Sequence, residues 1–149
     1  MTDVVDIFQK YSDAKSYTYH YGRKNVINLF GQGFNWSGND TDIYFMHEFR
    51  KGTRIDNNTM SYTGNFYLVK HSTLNKNFYQ EVGTKAEGKY ENNIKPLIQA
   101  FREIESYYFC SDLDIKSLSF IDVTDLLDAN LDGIKVDYTV QYINSYTGV

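Results

Sequence analysis

Strict alternation of apolar and polar residues over GIKVDYTVQY, residues 133–142, constrains the fold of this chain more than any other feature. Because the side chains of a strand point alternately to its two faces, a period of two predicts a strand with one face in the interior. The residues predicted to face the interior are Ile134, Val136, Tyr138, Val140 and Tyr142. We therefore expect a β-sheet with a covered face.

Two helices are predicted beside the strands. Apolar residues recur at helical spacing over 3–14, where Thr2 can serve as the N-cap, and over about 93–109, where Pro96 falls in the first turn. The apolar residues of the second segment are Ile94, Leu97, Ile98, Phe101, Ile104 and Tyr108. We predict a short N-terminal helix and one long amphipathic helix whose apolar stripe packs on one face of the sheet.

Further strands are predicted over 41–49, 59–71 and 113–123, with the sequences TDIYFMHEF, TMSYTGNFYLVKH and LDIKSLSFIDV. The first two flank KGTRIDNN, residues 51–58, which has the composition of a turn, so we expect them to form an antiparallel hairpin. A shorter aromatic alternation runs through 17–21. The order of these elements is typical of an α+β fold with an antiparallel β-sheet and helices on one face.

A length of 149 residues is that of one ordinary domain, and no linker or internal repeat interrupts it, so residues 1–149 are predicted to form a single domain. Residues 72–92 are polar and contain Gly83 and Gly88, which predicts a long surface loop. Cys110 is the single cysteine and lies in an apolar stretch, which favours a packed side chain over a nucleophile.

The charge balance excludes one class of function. Lys and Arg number 15 and Asp and Glu number 19, a formal net charge of −4, whereas general nucleic-acid binding needs a basic face. No apolar run approaches the roughly 20 residues of a membrane helix, and the opening MTDVVDIF lacks the basic residues of a signal peptide. We expect neither nucleic-acid nor membrane binding, and a reducing cytoplasm as the place of synthesis.

One segment resembles a metal site. Asp128, Asn130 and Asp132 precede Gly133 in the order of an EF-hand calcium loop. Such a loop needs a bidentate carboxylate at its twelfth position, and that position is Thr139, inside the predicted last strand. We therefore interpret the segment as a turn rather than a calcium site.

The remaining chemical motifs are weaker. The three histidines, His20, His47 and His71, lack the spacing of a zinc site, and GQGFNWSG lacks the third glycine of a phosphate cradle. The aspartates of DLDIKSLSFIDVTDLLDANLD are spread along strands and turns and indicate a solvated rim rather than a carboxylate pair. The sequence predicts no catalytic residue and no cofactor, and we expect the protein not to be an enzyme.

Three stretches resemble bacteriophage tail-completion proteins of the tail-terminator or head–tail joining (neck) type. AKSYTYHYGRKNVINLF is similar to the segment after their first helix, TDIYFMHEF with TMSYTGNFYLVKH to their paired strands, and SFIDVTDLLDANLDGIKVDYTVQYI to their closing hairpin. The resemblance covers most of the chain and is one of layout. It assigns no functional residue.

The resemblance implies a structural virion protein, assembled in the host cytoplasm, that forms a homo-oligomeric ring. In tail terminators the ring is commonly a hexamer, which caps the tail tube and docks to neck proteins. Rings arise when a head-to-tail contact closes on itself. We expect the last strand, 134–142, to be an exposed edge that pairs with a neighbouring subunit, with Val140 and Tyr142 as candidate interface residues.

Two other classes of protein stay open. A curved sheet over a long helix can enclose an aromatic pocket for a small molecule. An acidic domain of this size can also act as an immunity-type inhibitor that binds a partner enzyme. A ring protein should associate with itself, a pocket protein should be a monomer whose melting temperature rises with ligand, and an inhibitor should form a heterodimer.

Overall fold

The computed structural model describes residues 3–23, 42–71, 94–107, 113–126 and 131–143. This part of the chain forms an α+β fold with two helices and a mixed six-stranded sheet. In chain order the elements are α1 (Val4–Lys15), β1 (Thr18–Tyr21), β2 (Ile43–His47), β3 (Lys51–Arg54), β4 (Thr59–His71), α2 (Lys95–Tyr107), β5 (Leu113–Leu126) and β6 (Leu131–Ile143). The predicted loop at 72–92 and Cys110 lie outside the described residues.

Helix α1 begins at Val4 because Asp3 caps it, in place of the predicted Thr2, which lies outside the described residues. The Asp3 carboxylate accepts a hydrogen bond from the Val5 backbone N–H at 3.1 Å. The Asp3 backbone N–H in turn donates to the Asp6 carboxylate at 3.2 Å, which completes a capping box. Two of the otherwise unpaired N–H groups at the start of the chain's first helix are thereby satisfied.

The sheet has the strand order β1-β2-β4-β6-β5, with β3 paired to β4 beside this path. The pairs β2–β4, β3–β4, β4–β6 and β5–β6 are antiparallel, but β1 and β2 are parallel. The prediction of a purely antiparallel sheet is therefore wrong at this pair. Residues 22–42 separate the two strands, which is long enough for the crossover that a parallel pair requires.

Strand β3 replaces part of the predicted turn between β2 and β4. Lys51–Arg54 pairs with residues 60–63 of β4, and the chain reverses only afterwards, over residues 55–58. The physical reason lies in the lengths of the strands. β4 has 13 residues and β2 only five, so β2 covers the second half of β4 and leaves the first half for β3.

Strand β6 lies inside the sheet, which contradicts its predicted role as an exposed edge. It pairs with β4 along one side and with β5 along the other. Val140 is buried, and Tyr142 is partly buried against the main core. Because both hydrogen-bonding sides of β6 are occupied, a neighbouring subunit cannot add a strand there, and β5 takes the outer position instead.

Both helices pack on the same face of the sheet. Their buried residues join the inward residues of β2, β4 and β6 in one core cluster, and the members from the helices are Val4, Ile7, Phe8, Tyr11, Leu97, Ala100 and Ile104. Helix α2 has 13 residues, an ordinary length rather than the long helix predicted over 93–109. The ends of that prediction, 93 and 108–109, lie outside the described residues.

The sheet buries residues on its opposite face as well. Alternate positions of the central strands form a second, smaller cluster there, composed of Tyr44, Met46, Tyr67, Val69 and Leu131. The period of two is visible in β2, where Tyr44 and Met46 belong to this cluster and Phe45 belongs to the core under the helices. The central strands are thus buried on both faces.

Candidate functional site

His47 lies at the end of β2 and, with Ser12 and Asp132, is one of three polar residues that are fully buried among the described residues. The Tyr19 hydroxyl lies 2.8 Å from its Nδ1 atom and the Tyr138 hydroxyl lies 2.6 Å from its Nε2 atom. Phe8 of α1 contacts its ring edge-on, with centroids 5.1 Å apart. Strands β1 and β6 and helix α1 therefore all meet at this side chain.

The imidazole of His47 is neutral. Burial, reinforced by the nearby Arg50 charge, lowers the pKa of His47 to about 3. A neutral ring carries one N–H and one bare nitrogen, so one tyrosine hydroxyl accepts a hydrogen bond from the ring and the other donates one to it. Burial also raises the pKa of both Tyr19 and Tyr138 well above the ordinary range, and both hydroxyls stay protonated.

An ion pair between Arg50 and Asp3 lies beside the Tyr19–His47–Tyr138 group, at the start of α1. The Arg50 guanidinium donates to both carboxylate oxygens of Asp3, at 3.1 and 2.5 Å, and to the Tyr21 hydroxyl at 3.0 Å. Burial raises the pKa of Asp3, but hydrogen bonds from Arg50 and from the Val5 backbone outweigh it, so the pKa lies below its usual value. Asp3 thus caps α1 and also ties the start of that helix to the sheet.

Gly64 provides the space that Tyr138 needs. The two residues face each other across β4 and β6. A Cβ atom at position 64 would lie 2.7 Å from the Tyr138 hydroxyl oxygen, and that oxygen would have to leave its hydrogen bond with His47. The sequence Thr63-Gly64-Asn65 inside a strand therefore encodes room for a buried tyrosine rather than a bend.

The arrangement around His47 stabilises the fold and offers little chemistry to a ligand. Both ring nitrogens are already hydrogen-bonded, and the side chain is 0% exposed. A catalytic base must reach the proton that it removes, which His47 cannot do from this position. We interpret the Tyr19–His47–Tyr138 group as a buried polar network that fixes the packing of three elements.

The structure separates the residues of the predicted metal motifs. His20 lies opposite Met46 in the β1–β2 pair, so its side chain is on the other face of the sheet from that of His47. Asp132 is buried within β6, opposite Lys70, and is not part of a turn; Asp128 and Asn130 lie outside the described residues. Within the described ranges, no group of three or more His, Cys, Asp or Glu side chains could hold a metal ion.

Four large apolar side chains are exposed among the described residues, and two of them, Phe120 and Ile121, are neighbours on the outer strand β5, while Phe49 and Ile55 lie elsewhere. Ile121 is 62% exposed and Phe120 is 41% exposed, although both are large apolar side chains in a strand. β5 has 14 residues, and β6 is its only partner among the strands that the structure describes. A long strand edge with exposed apolar side chains is a surface on which another strand can pair.

A shallow groove accompanies this strand on the side of the helices. It has a volume of about 290 Å³ and lies between α2 and β5, lined by Phe101, Arg102, Ile115, Lys116, Ser117 and Leu118. The Phe101 and Phe120 rings meet beside it at a centroid distance of 4.9 Å. Lys116 stands where the β5–β6 register shifts and bonds Asp114 at 2.7 Å. The groove is open and mostly polar, unlike an enclosed ligand pocket.

The sequence analysis did not predict the hydrogen-bond network around His47. The signal was present in the strand pattern, because His47 is in phase with Ile43 and Phe45 and is therefore directed into the core.

Among the described residues no helix is long and apolar enough to cross a membrane. The chain matches no protein-family profile, no curated protein and no solved structure.

Proposed function

We propose that this protein is a structural component of a tailed-phage virion and forms a homo-oligomeric ring at the end of the tail or at the head–tail neck. The observation that carries the proposal is the outer strand β5. It is long, its outer side has no partner among the described strands, and it exposes Phe120 and Ile121. The resemblance of the sequence to tail-terminator and neck proteins is the reason for proposing a phage tail or neck as the place of this assembly.

An exposed strand edge of this kind is unfavourable in a protein that works as a monomer. Natural monomers keep their edge strands short, charged or covered, because a bare edge pairs with other chains. β5 carries the charged residues Asp114, Lys116 and Asp122, but it also exposes an adjacent apolar pair, Phe120 and Ile121. In an assembly protein the same edge is useful, because pairing it buries the apolar residues and satisfies the backbone groups.

The interior supports the same class of function. The space between the helices and the sheet is filled by packed aromatic rings, including Phe45 stacked on Phe66 with centroids 4.3 Å apart. His47, the buried titratable group at its centre, is fully used by two tyrosines. A small-molecule pocket in this layer would need space that these side chains occupy. We propose no enzymatic activity and no cofactor.

The partners in this proposal are other copies of the chain, with a hexamer as the expected ring, and the adjoining tail-tube and neck proteins. The place of action is the virion, after assembly in the host cytoplasm. The net charge of −4 makes direct binding of the packaged nucleic acid unfavourable, because both carry negative charge.

Light scattering over a concentration series, with negative-stain images of the same sample, tests the proposal. We expect closed rings of about six copies of the 17.4-kDa chain, which is the assembly that the tail-terminator resemblance implies. Ile121→Lys should shift the population toward monomers, because a charge then lies in the contact, while the control Gln99→Lys on the exposed side of α2 should leave the rings intact. A wild-type protein that stays monomeric at every concentration contradicts the proposal, and a ligand screen or a search for a partner enzyme would then separate the two alternatives.

A further inference from the structure

We propose that the ring is closed by strand pairing between β5 of one copy and β1 of the next copy, in antiparallel orientation. This proposal deepens the function proposed above and rests on it for the ring. β1 and β5 are the two ends of the strand order, so each has one neighbour among the described strands. A contact between different ends of the same sheet is head-to-tail, which is the kind of contact that closes rings.

The directions of the two end strands fit this arrangement. β5 is antiparallel to β6, β6 to β4 and β4 to β2, while β1 is parallel to β2. β1 and β5 therefore run in opposite directions within one subunit. When a second copy is placed beside the first in the same orientation, its β1 runs antiparallel to β5 of the first, the more stable strand pairing.

Residues that are register partners on successive strands form a row across the sheet, and these rows show which residues of β1 and β5 would meet. Tyr21 lies level with Phe120, through His47, Phe66 and Val136, because each is the register partner of the next. His20 lies level with Ile121 in the same way, through Met46, Tyr67 and Lys135. Successive subunits of a closed ring are not shifted along the ring axis. If the strands run along that axis, a residue at the edge of one subunit therefore meets the residue at the same level on the edge of the next.

In these rows the β5 end of the sheet exposes two large apolar side chains, Phe120 and Ile121. Beside β1, Phe49 is 55% exposed and packs on the Tyr21 ring at a centroid distance of 5.4 Å. Pairing in this register places Phe120 next to Tyr21 on the helix-covered face, and aromatic pairs across strands stabilise sheets.

The charges of the two ends are also complementary. Just after β1 lies the exposed Arg23, whose guanidinium is 5.7 Å from the Phe49 ring. Among the β5 side chains that the structure describes, Asp114 and Asp122 are exposed acids, and the one lysine, Lys116, pairs with Asp114. Opposite charges on the two ends of one molecule favour the contact of unlike ends over the contact of two β5 strands.

Cross-linking of single-cysteine variants tests the contact in the full-length chain. In a Cys110→Ser background, His20→Cys and Ile121→Cys would stand directly opposite each other across the interface. We expect a short bis-maleimide to give covalent dimers when the two variants are mixed and to give none with either variant alone. Gln99→Cys mixed with Ile121→Cys is the matched control, and Thr18→Cys, on the same side of β1, replaces His20→Cys if that variant melts at a lower temperature than the wild type.

Two results would overturn the proposed interface. One is a mixture that cross-links no better than the Gln99→Cys control, and the other is an Ile121→Cys variant that cross-links to itself, which indicates a two-fold contact between β5 strands. Light scattering on the wild type is read separately. Rings without the mixed cross-link refute this interface and leave the proposed function standing, whereas the mixed cross-link without closed rings supports the contact and refutes the ring.

Discussion

His47 and Ile121 lie in strands of one sheet, yet the first is 0% exposed and the second is 62% exposed. The region around His47 combines aromatic rings with hydrogen bonds that use every polar atom of the imidazole. The region around Ile121 exposes apolar side chains at a strand that has one neighbour among the described strands. The difference teaches that this chain uses its buried aromatic residues to define one packing, whereas in the proposed function its exposed apolar residues at β5 serve contact with another copy.

The largest effect is expected from Gly133→Ala in the interior. A Cβ atom at this position would lie 2.0 Å from the Leu68 carbonyl oxygen and 2.8 Å from the Val69 Cα atom, both part of the backbone of β4. The two central strands would have to separate, and we expect a loss of at least about 3 kcal/mol in the free energy of unfolding, measured in urea. Gly52→Ala in β3 is the control, because its Cβ would meet only side-chain atoms at ordinary contact distance, the Tyr62 ring at 3.4 Å and Met60 Cε at 3.5 Å. A similar loss there would refute the explanation.

Tyr138→Phe should destabilise the protein by about 2 kcal/mol, because it leaves the Nε2 atom of the buried His47 without its partner. Tyr19→Phe should cost less, since Tyr19 is only half-buried and water can replace its hydroxyl. A double-mutant cycle of Tyr138→Phe with His47→Leu measures the coupling, which we expect to be about 1 kcal/mol or more. Additive losses in that cycle would show that the network contributes nothing beyond packing.

Lowering the pH should reduce the free energy of unfolding because His47 is buried in its neutral form. Its pKa is about 3 in the folded protein and 6.5 without the burial, so between these values the unfolded chain binds a proton that the folded chain does not. The free energy of unfolding should therefore fall by about 1 kcal/mol for each pH unit as the pH decreases from 6.5 toward 4. Burial lowers the pKa of the half-buried His20 as well, so His20→Gln should reduce this slope a little and His47→Gln should reduce it more.

Asp3→Asn separates the two roles of Asp3. Asparagine still caps α1 but loses the charge that pairs with Arg50, so we expect a loss of about 1 kcal/mol at pH 7. The pKa of Asp3 is lowered in the folded protein, so its contribution is complete above 3.8 and is lost as the pH falls through the folded value. Urea unfolding at pH 7 and pH 3 should show a smaller difference between wild type and variant at pH 3; Asp3→Ala, which also loses the cap, should cost more.

The smallest effect on stability is expected at the outer strand. Ile121→Thr keeps a β-branched residue in β5 and removes an apolar group that is already exposed, so the free energy of unfolding should change by less than about 0.5 kcal/mol. Self-association should nevertheless weaken, as light scattering would show. If Ile121→Thr lowered the free energy of unfolding as much as Tyr138→Phe does, β5 would contribute to stability as the interior does, which contradicts the difference between the two regions.

The sequence by itself determined both helices, the strands β2, β4, β5 and β6, and the face of these elements that the helices and sheet bury between them; it missed β3 and the second buried face. The alternation from Ile134 to Tyr142 and the helical stripe of α2 both appear in the structure, because the period of the backbone decides which side chains share a face. The same rule explains why His47 is buried, since it is in phase with Phe45. Asp3 as the N-cap could also have been found, as it stands three residues before Asp6.

Only the tertiary structure decided the order and direction of the strands. Alternation reports the two faces of a strand and carries no information on its two hydrogen-bonding edges, so an interior strand such as β6 and an outer one can show the same pattern. The exposed edge therefore fell on β5 and not on the predicted residues Val140 and Tyr142. The parallel β1–β2 pair and the Tyr19–His47–Tyr138 network depend on the same long-range pairing, which brings together residues that are up to 91 positions apart in the chain.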